Sequence, residues 1–157
     1  MTGRRIAPAL LLAGAVLACS SRPERSAPPD SATVPASPDT TDPAAAIRRY
    51  YDAISHHDYR TAYLVWGDSG RASGQSFDDF RTGFAGTDSV RVTIGEAGRI
   101  EGAAGSRFTD VPVTVDAWTS SGQVQHFTGR YTLRRVVVDG ATAEQRRWHF
   151  YSAELHR

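Results

Sequence analysis

The chain of 157 residues has no lysine, no asparagine and only one cysteine. Each absence excludes a class of chemistry. Without lysine there is no Schiff-base nucleophile and no Walker-type phosphate-binding lysine. Without asparagine there is no Asn-linked glycosylation. A lone cysteine forms neither an internal disulfide nor a cysteine cluster for zinc. An excess of one charge is also missing. Eighteen basic residues, all of them arginine, stand against seventeen acidic ones, for a formal charge of +1. That balance excludes the basic footprint of a nucleic-acid binder and an acidic solvating tail. A basic set made only of arginine reads as the codon bias of a GC-rich genome. The length suits one ordinary domain.

The N-terminal segment carries an address. Arg4 and Arg5 precede an apolar run from Ile6 to Leu17. Twelve helical residues span about 18 Å, well short of a hydrocarbon core of about 30 Å, so the run fits a signal-peptide core better than a transmembrane helix. It ends in Val16-Leu17-Ala18-Cys19. This ending resembles the bacterial lipoprotein signal, in which the cysteine is lipidated and becomes the first mature residue. The resemblance implies residues 1–18 as a signal peptide, lipid attachment at Cys19 and stable anchoring by more than one acyl chain. Ser20 follows the cysteine, where Asp resembles an inner-membrane retention signal. In a Gram-negative cell the expected place is therefore the outer membrane, facing the periplasm.

Residues 19–42 change composition abruptly. Pro23, Pro28, Pro29, Pro35 and Pro38 mix with Ser, Thr, Ala and Asp. Such a segment buries too little apolar surface to offset its ordering entropy, so it reads as a disordered tether. Residues 43–157 then suit a single domain. Asp42-Pro43 is a helix start, followed by Ile47, Tyr50, Tyr51 and Ile54 at helical spacing. A second helix is expected from Asp58, with Tyr59, Ala62, Tyr63 and Trp66 on one face. Ser76 caps a third, with Phe77, Phe80 and Phe84 inward. After Gly86 the period changes to two. Val90 to Ile94, Val111 to Val115, Phe127 to Leu133 and Trp148 to Tyr151 alternate as strands. Turns are expected at Glu101 to Gly105, Ser120 to Gly122 and Asp139-Gly140. The fold class is α+β: N-terminal helices packed on a curved four-stranded antiparallel sheet.

Two segments strengthen a family likeness. Ala46 to Ile54 followed by Asp58 to Tyr63 looks like the opening helical pair of the nuclear-transport-factor-2-like fold. Phe127 to Leu133, then Trp148 and Ala153, looks like its last two strands. The resemblance implies a cone, a bent sheet wrapped around a long helix. It also implies a superfamily holding isomerases, cyclases and many non-catalytic domains, so fold does not carry function across.

The chemistry is sparse. His56 and His57 form a polar interhelix turn, since adjacent helical side chains point about 100° apart. His126 and His149 are out of phase with the inward strand residues and are expected in solvent. His156 lies beside the C-terminus. Enzymes of this cone place an Asp or His inside, but Asp110 and Asp116 alternate outward here. No catalytic residue, metal ligand set or cofactor site is assigned. Tyr50, Tyr51, Tyr63, Trp66, Phe84, Tyr131 and Trp148 are candidates to line a ligand pocket as well as ordinary core. Tyr131 and Trp148 are expected to pair across a two-residue Asp139-Gly140 turn. Trp118 is out of phase with Val113 and Val115, hence a candidate partner anchor on the outer sheet face. Arg134, Arg135, Arg146 and Arg147 flank the last hairpin as an exposed charged patch. The functional expectation is a lipid-anchored, non-catalytic domain. Its partners are the membrane through Cys19 and an envelope protein or small apolar ligand. The alternatives are an isomerase, hydratase or cyclase of the same cone, and an interaction module without a pocket.

Overall fold

Residues 42–157 of the computed structural model are described here. The expected signal segment 1–18 and the expected tether 19–42, apart from Asp42, lie outside the described residues, and Cys19 with them. Three side-chain caps start three helices where the sequence pattern puts them. Asp42 accepts from the Ala44 amide at 2.9 Å, with Pro43 in the first turn of α1 (Pro43–Ser55). Asp58 accepts from the Thr61 amide at 3.0 Å and opens α2 (Tyr59–Val65). Ser76 accepts from the Asp79 amide at 3.2 Å and opens α3 (Phe77–Gly83). Each cap satisfies an amide that the helix itself leaves without a partner. A single 3-10 turn, Arg71–Ser73, lies between α2 and α3. No helix among the described residues is long and apolar enough to cross a membrane.

Five strands follow: β1 (Thr87–Ile94), β2 (Glu101–Ala103), β3 (Ser106–Thr119), β4 (Val124–Val136) and β5 (His149–His156). They form one open antiparallel sheet in the order β1-β3-β4-β5, with β2 paired to the start of β3. The expected number was four, because Glu101 to Gly105 read as a turn. Only Ala104-Gly105 turn, with φ of +42° and +76°. The residues ahead of them fold back on Ser106 to Phe108 as β2. Between β1 and β2, the Gly95 and Gly98 amides donate to the carbonyls of Pro112 and Asp110, both at 2.8 Å. One edge of β3 is thus covered along most of its length.

The last hairpin also differs from expectation. Tyr131 pairs with Ala153, not with Trp148. Residues 137–148 form a loop rather than a continuation of two strands. The Val136 amide donates to the Gln145 carbonyl at 2.8 Å. Thr142 and Gln145 exchange two further bonds, and the Arg146 guanidinium donates to the Ala141 and Val138 carbonyls. The burial of both rings survives because β5 carries a bulge. Pairing runs from Thr132 with Ser152 to Leu133 with Phe150, and Tyr151 is the extra residue. One extra residue reverses the side-chain alternation. Trp148 and Phe150 therefore share the buried face with Tyr131 and Leu133, while Tyr151 turns outward at 54% exposure.

The buried side of α1, with Ile47, Tyr50, Tyr51 and Ile54, packs on Val111, Val113 and Val115 of β3 and on Tyr131 and Leu133 of β4. Close backbone approach fixes one position in β4. A Cβ on Gly129 would lie 1.8 Å from the Glu154 carbonyl oxygen of β5. Gly129→Ala is expected to cost about 3 kcal/mol or more by forcing β4 and β5 apart. Gly83→Ala, where a Cβ meets nothing within 4 Å, is expected to be neutral or stabilising by up to about 1 kcal/mol. Urea denaturation of the two variants checks both values.

Candidate functional site

The space under the sheet is filled by interlocking rings. Tyr50 meets Tyr51, Trp66, Phe80, Tyr131 and Phe150 at centroid distances from 5.0 to 6.5 Å, all near edge-to-face. Tyr131 stacks on Phe150 at 4.1 Å. The hydroxyls of Tyr51 and Tyr131 bond to each other at 2.7 Å. Burial is the main force raising all three tyrosine hydroxyls above their usual range. The Trp66 indole N–H opposes the rise at Tyr50 without reaching hydrogen-bond geometry. These tyrosines stay neutral at physiological pH. Among the described residues, the buried polar side chains are Ser106 and Thr109, neither an acid nor a base at that pH.

The seven aromatic candidates take two positions. Tyr50, Tyr51, Tyr63, Tyr131 and Trp148 are buried in the core cluster, and Trp66 and Phe84 are half-buried against it. Tyr63 packs on Gly70, whose φ of +95° and missing Cβ admit the ring; a Cβ there would sit 2.1 Å from it. Trp118 is half-buried near the end of β3, with the Arg91 guanidinium 5.3 Å over its ring.

A cleft of about 640 Å³ opens elsewhere, where the 67–72 loop meets the ends of β4 and β5. None of the seven aromatic candidates lines it. The loop is tied to β5 by the Gly67 amide, which donates to the Phe150 carbonyl at 2.8 Å, and by a bridge between Trp66 and Phe150. Asp68, Ser69 and Gly70 are consecutively left-handed, with φ of +56°, +57° and +95°. Non-glycine residues in that region carry about 1–3 kcal/mol of strain each and cluster at functional sites. The turn brings the Arg71 guanidinium onto the Asp68 carboxylate through bonds of 2.9 and 2.6 Å. This fork holds the Asp68 carboxyl below its usual range.

On the opposite wall His149 departs from expectation. It faces away from Trp148 and Phe150, as its phase required, yet its side chain is only 15% exposed. The reason is the 137–148 loop, which folds back over it. Nε2 donates to the Glu144 carbonyl at 3.0 Å, with a Glu144 carboxylate oxygen at 3.4 Å. Nδ1 is buried and meets no partner among the described residues. The four hairpin arginines divide. Arg146 bonds the loop's carbonyls, and Arg147 approaches Glu144 at 3.5 Å. Arg134 and Arg135 line the cleft. Nothing local in the sequence places the 67–72 loop beside β5, and the cleft was missed for that reason.

Asp110, Asp116, His126 and His56 lie at the surface, outside the core cluster. Asp110 accepts from the Thr132 hydroxyl at 2.6 Å. Asp116 bonds exposed His126 at 2.6 Å. His56 is exposed and bonds the Asp52 carbonyl at 2.8 Å. No group of three or more His, Cys, Asp or Glu among the described residues is placed to hold a metal ion.

Comparison with known proteins gives the fold. No protein-family model and no curated protein matches the chain in sequence. Solved structures do match in shape. A nuclear transport factor 2-like superfamily protein from Salmonella enterica serovar Typhimurium is similar with a TM-score of 0.51 at 13% identity, over 71% of this chain and 84% of that one. A Streptomyces avermitilis protein of the same family, named from a dehydratase assignment, gives 0.49 at 12% identity over 74% and 94%. A Kribbella flavida protein gives 0.45 at 14% identity over 74% and 88%. The described domain has the nuclear transport factor 2-like fold, with its sheet left open.

The tyrosine pair gives a test of the filled interior. Tyr51→Phe or Tyr131→Phe alone leaves a buried hydroxyl without its partner, an expected loss of about 1–3 kcal/mol. The double variant removes both hydroxyls and is expected to recover most of that loss. A double-mutant cycle by chemical denaturation measures the coupling. Strict additivity would mean that water, not the partner ring, satisfies each hydroxyl.

Proposed function

We propose that this protein is a lipid-anchored, non-catalytic binding domain of the bacterial cell envelope. The anchor is Cys19, the tether 19–42 lifts the domain off the lipid surface, and the domain holds an envelope partner or small ligand. The observation that carries the non-catalytic reading is the interior. General acid–base work inside a cone needs a carboxylate or imidazole desolvated beside bound substrate. The buried positions here carry aromatic rings in mutual contact and tyrosine hydroxyls committed to each other. Such an interior supports recognition on the outside of the cone rather than within it. The envelope reading rests on the lipoprotein-like Val16-Leu17-Ala18-Cys19.

The anchor is testable by fractionation. The full chain is expected in the membrane pellet, carrying acyl mass, and Cys19→Ser in the soluble fraction. Two or more acyl chains hold a protein to a bilayer where one does not. A wild-type protein without acyl mass, or a Cys19→Ser variant that stays in the pellet, contradicts the anchored reading.

A further inference from the structure

The cleft beside β5 brings side chains of opposite charge together. Arg134 stands directly across from His149 in the β4–β5 pairing. Side chains opposite in an antiparallel pair share a face, with Cβ atoms about 4.5–5.5 Å apart. Glu144 reaches the same imidazole at Nε2, with the backbone carbonyl at 3.0 Å and a carboxylate oxygen at 3.4 Å. An arginine and a glutamate therefore both adjoin the His149 position and line the same cleft, and no ion pair joins them.

Neither charge is fully engaged. The Arg134 Nε donates to the buried Ser106 hydroxyl at 3.0 Å, and its guanidinium lies 6.0 Å over Phe108. Both contacts orient the guanidinium without neutralising it. The carboxylate oxygens of Glu144 stand 3.4 Å from His149 and 3.5 Å from Arg147, longer than charge-assisted bonds. Across the cleft, by contrast, the Asp68 carboxylate is taken by Arg71 through two short bonds. The volume lies within the roughly 300–1,000 Å³ of small-molecule sites. The bulge at Tyr151 and the left-handed turn at Asp68-Ser69 meet at this one place, and bulges are over-represented beside functional sites.

We propose that this cleft binds a small zwitterion, an amino acid or a whole short peptide, with its carboxylate on Arg134 and its ammonium on Glu144. Guanidinium matches a carboxylate in a planar, two-bond geometry. Of the two carboxylates that line the cleft, Asp68 is taken by Arg71, and Glu144 gives an ammonium a counter-charge that an inorganic anion would meet as a like charge. The proposal rests on the reading of a binding domain and names the site and ligand class for it.

The probe is trialanine, titrated into the full chain and followed by the amide resonances of Ser69, Gln145 and Tyr151. Saturable shifts are expected, with a Kd in the region of ~1 mM for a ligand of this size. Arg134→Met keeps the aliphatic stem and is expected to weaken binding about tenfold, one charge-assisted contact. Glu144→Gln, at an exposed loop position, is expected to weaken trialanine but not N-acetyl-trialanine, which has no ammonium. Free alanine in place of trialanine separates the two sources, because the two charges are several ångströms further apart in the tripeptide: tighter binding of alanine identifies an amino-acid site, and tighter binding of trialanine a short-peptide site. Absence of saturable shifts, unchanged affinity in Arg134→Met, or inorganic phosphate binding more tightly than both probes overturns the proposal. Saturable trialanine binding with shifts confined to other residues overturns this site while leaving a binding domain. Membrane fractionation tests the anchor separately from either result.

Discussion

The structure depends on one side chain more than any other. Tyr50 sits at 4% exposure where helix α1 crosses the sheet, and rings from α1, α3, β4 and β5 close around it, joined by Trp66 just after α2. Edge-to-face aromatic pairs add about 0.5–1.5 kcal/mol beyond the area they bury. Their larger effect is geometric. Each ring's position is set by its neighbours, so the helices cannot slide on the sheet without breaking several contacts at once. The same packing decides the functional argument. The cleft lies outside this packing, where the 67–72 loop meets the ends of β4 and β5.

The rim is shaped by what keeps the interior full. Without the bulge at Tyr151, β5 would turn either Phe150 or Leu155 away from the side of Tyr131. With it, Phe150 stacks on Tyr131 and Tyr151 points out toward Phe108 at 5.4 Å. The Phe150 carbonyl faces the edge of the sheet, where it accepts the Gly67 amide. That bond fixes the Asp68-Ser69-Gly70 turn against β5 and creates the cleft. Core packing, strand irregularity and cleft are successive consequences of one arrangement.

Much of this was legible in the sequence. The helix starts at Asp42, Asp58 and Ser76 follow from side-chain capping, which is local and therefore readable. The strand alternation from Val90 onward and the inward side of Tyr131 and Trp148 follow from period two. The register between β4 and β5 was not legible. It depends on how residues 137–148 bond among themselves and on a bulge whose signal is spread over both strands. The half-burial of His149 was hidden for the same reason: its phase was correct, but the loop that covers it is set by tertiary contacts. The cleft was invisible because Gly67 and Phe150 are more than eighty positions apart.

The central claim is that the interior is a packed core and not a ligand cavity. Chemical denaturation of Tyr50→Ala tests it most directly. A ring that anchors a filled core leaves an unfillable void when removed, and the expected loss is about 3–5 kcal/mol. A ring that merely lines an open pocket leaves the pocket larger at little cost. A loss below about 1 kcal/mol would contradict the account.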